Sequence, residues 1–193
     1  MQDQSKIASV ALDLLGRAQF RHIELVGSVA AKCHDPLSDV DILIRDHSRS
    51  PRANVEIASQ LLQSHFGHLL SDWATSLLPH KYLISLFLPG FPLYWHIDIG
   101  CYADPDYPDL NREEVVVDSN SHLAKLLIIN AKHYIRGDQT QLRIDDLYRK
   151  AIPHGTETMV ASKFQAVFDA IDYRELEPEL LQKSQAIITE VKQ

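Results

Sequence analysis

The sequence has little cysteine and therefore few means of covalent cross-linking. Among 193 residues only Cys33 and Cys101 occur, far apart and without the spacing of metal ligands. We predict that both are reduced thiols, with a disulfide between them as the alternative. A chain of this length can bury a core large enough to fold without disulfides.

Long apolar runs and an excess of basic residues are also missing. No stretch approaches the ~18 apolar residues that a membrane-spanning helix needs, and residues 1–6 lack the apolar core of a secretory signal. The 26 acidic residues outnumber the 19 lysines and arginines, which gives a net charge of −7. Because a broad nucleic-acid interface needs clustered cations to displace counterions, nucleic acid is disfavoured as a partner. These absences predict a cytoplasmic globular protein with no membrane partner.

The pattern of apolar residues divides the chain into an α/β half and a helical half. Helical periodicity and strand-like alternation occur in turn up to about residue 102, and the periodicity from Ser121 onward is almost purely helical. Helices are predicted at 5–17 and 51–65, and strands at 23–26, 39–44, 82–88 and 93–102. We therefore predict an α/β fold with a mixed, twisted sheet of four or five strands in residues 1–110. A helical bundle in residues 111–193 follows it.

The clearest chemical pattern lies between Gly27 and Asp41. Asp39 and Asp41 are two residues apart on a predicted strand, so both carboxylates leave the same face. A divalent cation relieves the repulsion between them, and Mg²⁺ is typically held by one or two carboxylates together with phosphate oxygens. Just upstream, Gly27 allows close approach of the backbone to a phosphate, and Ser28 offers a hydroxyl and an N–H group. Together these residues predict a site for a nucleoside triphosphate and Mg²⁺.

A third carboxylate, Asp98, lies between two isoleucines on a later predicted strand, where an unpaired charge is costly. If that strand neighbours the first, Asp98 joins Asp39 and Asp41, and the three carboxylates can hold two Mg²⁺ ions about 4 Å apart. The alternative is a buried acid paired with lysine or arginine. His96 shares the strand face of Asp98. It either lines the site or is an ordinary buried histidine of the sheet.

This pattern resembles the signature of the DNA polymerase β-like nucleotidyltransferase superfamily: a Gly-Ser turn, about ten residues, then Asp-hydrophobic-Asp. Gly27, Ser28, Asp39 and Asp41 match it, and Asp98 falls where the family places its third acid. The match covers about 20 residues plus Asp98, and the order of predicted elements extends it to about residues 1–105. The resemblance implies a nucleotidyltransferase fold in which the three aspartates are catalytic and bind metal. It also implies nucleotide contacts from Gly27, Ser28 and Ser38, the residue before Asp39.

Within that superfamily, the chain length and the helical second half are most similar to the bacterial lincosamide and aminoglycoside nucleotidyltransferases. That resemblance implies transfer of a nucleoside monophosphate, AMP from ATP, to a hydroxyl of a small polar molecule such as an antibiotic. It further implies Mg²⁺-dependent release of pyrophosphate. The alternative is an antitoxin-like or protein-modifying nucleotidyltransferase module that acts with a protein partner. Both a monomer and a homodimer are compatible with the sequence.

A basic stripe accompanies the first helix predicted for the second half. Lys125 and Lys132 are seven residues apart and lie opposite Leu123 and Leu127 on that helix. A solvated helix face is the simplest explanation of such a stripe. The functional alternative, which we adopt as a hypothesis, is that Lys125 and Lys132 bind the triphosphate.

Overall fold

The computed structural model of the protein describes residues 3–108, 110, 112–137 and 141–192. These residues form a mixed α/β structure with a five-stranded mixed sheet and seven helices, which confirms the predicted fold class. The helices are α1 (Gln4–Arg17), α2 (Gly27–Ala30), α3 (Pro51–Phe66), α4 (Ser119–Ile135), α5 (Gln141–Ala151), α6 (Val160–Ala170) and α7 (Pro178–Val191). The strands are β1 (Ile23–Val26), β2 (Val40–Ile44), β3 (Leu70–Trp73), β4 (Lys81–Phe87) and β5 (Ile97–Tyr102). None of the described helices is long and apolar enough to cross a lipid bilayer.

The chain forms two compact units, Met1–Val117 and Asp118–Gln193. The first contains the sheet with α1 to α3, and the second contains α4 to α7. The sequence-based division, a catalytic domain of residues 1–110 and a helical domain of residues 111–193, assigns a role to each part and stays a prediction.

The sheet has the strand order β1-β2-β5-β4-β3. Among its neighbouring pairs, β2 and β5 run parallel and the other three pairs are antiparallel. One sheet face packs on α1 and α3 in a core that includes Ile7, Leu15, Ile42, Val55, Leu62 and Ile99. The alternating positions of β2 and β5 place Asp41 and Asp98 on the other face.

Local sequence signals determine where α3 begins and ends. The Ser50 hydroxyl accepts a hydrogen bond from the Ala53 N–H (3.2 Å), and Pro51 occupies the first helical position. Gly67 ends the helix with a positive φ of 85°, a conformation that costs glycine little. The predicted limits of this helix are therefore nearly those of the structure.

Three segments differ from the sequence-based prediction. The strand predicted for 93–102 begins only at Ile97, because Leu93–Trp95 form a 3₁₀ turn closed by a hydrogen bond from the Trp95 N–H to the Pro92 carbonyl (3.0 Å). Residues 27–30, which include the predicted Gly27–Ser28 turn, directly follow β1 and form the single helical turn α2. Strand β3 was not predicted, since it is a four-residue edge strand whose pattern, Leu-Ser-Asp-Trp, is too short to indicate a strand.

The turn after β2 is organised by the buried side chain of Asp46. Its carboxylate accepts hydrogen bonds from the N–H groups of Arg21 (2.9 Å) and Ser48 (2.9 Å), and from the Ser48 hydroxyl. Burial by itself raises the pKa of Asp46, but these hydrogen bonds outweigh it and lower the pKa to about 2. Asp46 is therefore a structural carboxylate that is charged at neutral pH.

The second unit has its own apolar core. Helix α4 begins at the Asp118 cap, whose carboxylate accepts a hydrogen bond from the Ser121 N–H (2.6 Å). An ion pair between Lys163 and Asp145 (2.6 Å) joins α6 to α5. The buried apolar residues include Leu127, Ile128, Phe164, Val167, Leu180 and Ile188.

Candidate active site

The three predicted aspartates lie together at one end of the β2–β5 pair. Asp41 and Asp98 are direct neighbours across the parallel ladder, and Asp39 immediately precedes β2, two residues before Asp41. Adjacent strands are about 4.8 Å apart, so this register places the carboxylates of Asp41 and Asp98 side by side on one sheet face. The convergence that the sequence made conditional on strand pairing is present in the structure.

His96 lies at the centre of this group. Its Nε2 atom is 3.3 Å from Oδ2 of Asp39 and 3.6 Å from Oδ1 of Asp98. The imidazole is only 1% exposed, whereas the two carboxylate side chains are 25% and 18% exposed. Of the two interpretations of His96, the structure therefore supports the one in which it lines the site.

The Gly27–Ser28 turn lies directly beside Asp41. Gly27 follows Val26, the β1 residue that pairs with Asp41, and it has a positive φ of 72°. A Cβ at position 27 would overlap Oδ2 of Asp41 and approach its Cγ to 3.0 Å. Any larger residue would therefore displace the Asp41 carboxylate. Ser28 is half-buried in the short helical turn that follows.

Two side-chain hydrogen bonds anchor the loop that leads into Asp39. The Trp95 indole donates a hydrogen bond to the Pro36 carbonyl (2.7 Å), and the Gln4 amide donates one to the Asp35 carbonyl (2.8 Å). Because both anchors lie within four residues of Asp39, they limit the movement of its carboxylate. Sequence reasoning missed both anchors, since neither Gln4 nor Trp95 belongs to a recognisable motif.

Ser38, predicted to contact nucleotide, is buried and takes part in the loop itself. Its hydroxyl donates a hydrogen bond to the Asp35 carboxylate (2.9 Å) and accepts one from the Asp35 N–H (3.0 Å). These bonds shape the turn that presents Asp39. The nucleotide contact predicted for Ser38 stays a prediction, and the structure adds a positioning role.

Lys125 and Lys132, the predicted triphosphate ligands, belong to α4 in the second unit. The structure buries both side chains, with 4% and 3% exposed, so they do not form a solvated stripe. Both lysines have an interaction partner. Their predicted contribution to triphosphate binding stays a prediction.

A divalent cation suits the donor atoms of this site. One ligand atom each from Asp39, His96 and Asp98 lies within 4.8 Å of the other two. The Asp98 Oδ1 atom is buried and has no hydrogen-bond partner among the described residues. A buried carboxylate oxygen without a partner is costly, and a bound cation would satisfy it.

Comparisons with known proteins add little to this picture. No protein-family model matches the chain, and no curated protein matches it. Among solved structures, the polymerase core of TRAMP, an RNA surveillance complex, matches 99% of this chain with a TM-score of 0.37 and 12% identity. This chain spans 58% of the length of that one. A match this distant supports no conclusion about the chain, and the predicted similarity to antibiotic nucleotidyltransferases stays a prediction.

Proposed function

We propose that the protein is a nucleotidyltransferase that transfers AMP from ATP to a hydroxyl of a small polar molecule and releases pyrophosphate. The observation that carries the proposal is the convergence of Asp39, Asp41 and Asp98 beside the Gly27 turn, in the order and spacing of the signature that the sequence resembles. Parallel pairing of β2 with β5 brings Asp98 to Asp41 from a segment more than fifty residues away.

The chemistry requires alignment and charge neutralisation more than covalent catalysis. The acceptor oxygen attacks the α-phosphorus, the bond between that phosphorus and the bridging oxygen to the β-phosphorus breaks, and pyrophosphate leaves. In this proposal Asp39, Asp41 and Asp98 hold the divalent cations, and Asp98 takes the proton of the acceptor hydroxyl. The cations, when bound, supply positive charge that stabilises the phosphates and the leaving group. The Gly27–Ser28 turn holds the β- and γ-phosphates.

A small polar acceptor agrees with the charge of the chain. The net charge of −7 disfavours polyanions such as nucleic acids and favours cationic or polyhydroxylated molecules. The sheet face that carries the three acids adds local negative charge. Aminoglycosides, lincosamides and simple aminoalcohols therefore form the first acceptor panel.

The test uses ATP labelled at the α-phosphate, with Mg²⁺ or Mn²⁺, and follows both label transfer and pyrophosphate release. The acceptor panel is run beside transfer RNA and bulk cell protein. We expect label on a small molecule, and we expect no transfer by Asp39→Asn. The matched control is Asp13→Asn, which changes an exposed acid that pairs with Arg17 on α1. This control should transfer label at the wild-type rate.

The possible outcomes separate the two functional hypotheses. Label on a protein alone would contradict the small-molecule acceptor and favour the module that acts with a protein partner. Label on an RNA alone would contradict the small-molecule acceptor and leave the nucleotidyl transfer chemistry standing. Absence of pyrophosphate release with every acceptor and either metal, from a protein that remains folded, would contradict the nucleotidyltransferase itself.

A further inference from the structure

The distances around His96 are unusual for a histidine beside carboxylates. The same chain contains an ordinary pair of this kind, in which Nδ1 of His47 lies 2.6 Å from Oδ2 of Asp104. By contrast, Nε2 of His96 lies 3.3 Å from Asp39 and 3.6 Å from Asp98. Charge-assisted hydrogen bonds from nitrogen to oxygen are typically about 2.7–2.9 Å long. His96 is thus close to two carboxylates without a short hydrogen bond to either.

The shorter of these separations is the one expected for two atoms that share a metal ion. Two ligands that each lie about 2.1 Å from one ion are about 3.0 Å apart along an octahedral edge and about 3.4 Å apart in a tetrahedron. The separation of His96 from Asp39 falls within that range, and its separation from Asp98 is slightly longer. The ligand atoms of all three residues lie within 4.8 Å of one another.

The imidazole is held so that Nε2 faces the acids. Its ring stacks on Phe87, with 4.8 Å between centroids and 26° between the planes. The His96 carbonyl accepts a hydrogen bond from the Val40 N–H (3.0 Å), which fixes the backbone beside Asp39. The other ring nitrogen, Nδ1, is buried and has no hydrogen-bond partner among the described residues. Nε2 is the ring nitrogen that lies beside the two carboxylates, and a metal ion bound there leaves the ring proton on Nδ1.

We propose that His96 is a metal ligand through Nε2, together with Asp39 and Asp98, and that the site binds a first-row transition-metal dication in preference to Mg²⁺. Mg²⁺ takes oxygen ligands almost exclusively, whereas an imidazole nitrogen favours transition metals. The inference rests on the proposed function, because it specifies the cation of the same site. The proposed set of ligands differs from the all-carboxylate Mg²⁺ site expected from the sequence, because it includes the imidazole nitrogen of His96.

The direct test is pulsed electron paramagnetic resonance of Mn²⁺ bound at one equivalent to the full chain. A coordinated imidazole nitrogen modulates the Mn²⁺ echo, and labelling the histidines with ¹⁵N replaces the ¹⁴N pattern by the ¹⁵N pattern. We expect both observations in the wild-type protein. Because the measurement uses the wild-type chain, its outcome does not depend on whether a variant folds. Mn²⁺ bound without nitrogen modulation would overturn the proposal and leave the nucleotidyltransferase function standing.

Binding titrations with Mn²⁺ and with Mg²⁺ give a second readout. We expect Mn²⁺ to bind at least tenfold more tightly than Mg²⁺, and we expect His96→Gln to reduce that ratio about tenfold while retaining Mg²⁺ binding. The control is His47→Gln, which removes the other histidine–aspartate pair and should leave the ratio unchanged. An unchanged ratio in folded His96→Gln would count against the nitrogen ligand. Failure of the wild-type chain to bind either metal would contradict both the ligand assignment and the proposed function.

Discussion

Replacing Gly27 with alanine separates the two reasons for which this position requires glycine. The backbone there has a positive φ of 72°, and a Cβ would overlap the Asp41 carboxylate. A residue with a Cβ pays about 1–2 kcal/mol in this left-handed region. Gly90 provides a matched control, because its φ is 75° and no described atom lies within 4 Å of the Cβ position.

We expect Gly90→Ala to lower the free energy of unfolding by about 1–2 kcal/mol and to leave nucleotidyl transfer unchanged. Gly27→Ala should lose the same amount, and at most a further ~0.5–1.5 kcal/mol as the Asp41 side chain rotates away from its preferred conformation. Stability should thus differ little between the two variants. Transfer should fall at least a hundredfold in Gly27→Ala alone, about 2.7 kcal/mol of transition-state stabilisation, because the proposed function makes the displaced Asp41 carboxylate catalytic.

The assay pairs urea unfolding of each variant with its rate of pyrophosphate release. Wild-type turnover in folded Gly27→Ala would refute the reasoning, since it would show that the contact between Gly27 and Asp41 does not position a working carboxylate. A large loss in Gly90→Ala would show that backbone strain alone disturbs the unit. In that case the loss in Gly27→Ala would not be specific to the site.

Three further predictions follow from the described contacts. Asp98→Asn should abolish transfer. The thermal midpoint should stay unchanged or rise, because the substitution removes one charge from a cluster of acids. A midpoint several degrees lower would indicate a structural role for Asp98 instead. Trp95→Phe removes the 2.7 Å hydrogen bond to the loop before Asp39, so urea unfolding should show a loss of about 0.5–1.5 kcal/mol, and turnover should fall more than ATP affinity. The lowered pKa of Asp46 stabilises the fold above about pH 4 by about 2 kcal/mol, and this contribution is lost as the pH falls toward 2. Urea unfolding of wild type and Asp46→Asn across that range should therefore show their difference shrinking, and a constant difference would contradict the assignment.

The elements that the sequence predicted well are those with strong periodicity. Local signals marked the limits of both helix α3 and strand β2. A capping serine, a proline and a glycine bound the helix, and a clear alternation of apolar and acidic residues indicates the strand. The relation between Asp39 and Asp41 was also readable, because residues two apart on a strand share a face. Strand β3 could not be predicted from the sequence, since an edge strand of four residues depends on its neighbour for its conformation.

Properties that depend on distances between remote residues could not be read from the sequence. The approach of Asp98 to Asp41 requires parallel pairing of segments more than fifty residues apart, which the sequence allowed but did not determine. The burial of Lys125 and Lys132 could not be read from periodicity, which made a solvated helix face their simplest explanation. The orientation of His96 depends on a stacking partner, Phe87, that comes from another strand.

Hydrophobic burial is large enough to hold the acids together before any cation binds. Val40, Ile42, Ile97 and Ile99 alternate with Asp41 and Asp98, and each is at most 2% exposed. Burial of one such side chain contributes about 1.5–3 kcal/mol, so the four together contribute about 6–12 kcal/mol. Two carboxylates 4 Å apart near a protein surface repel by about 1–4 kcal/mol. A slip of one residue in the pairing would turn the isoleucines outward and the acids into the core, at a cost greater than the repulsion it relieves. The pattern that stabilises the sheet therefore also aligns the carboxylates, so the proposed cation site would be formed by folding rather than by the cation.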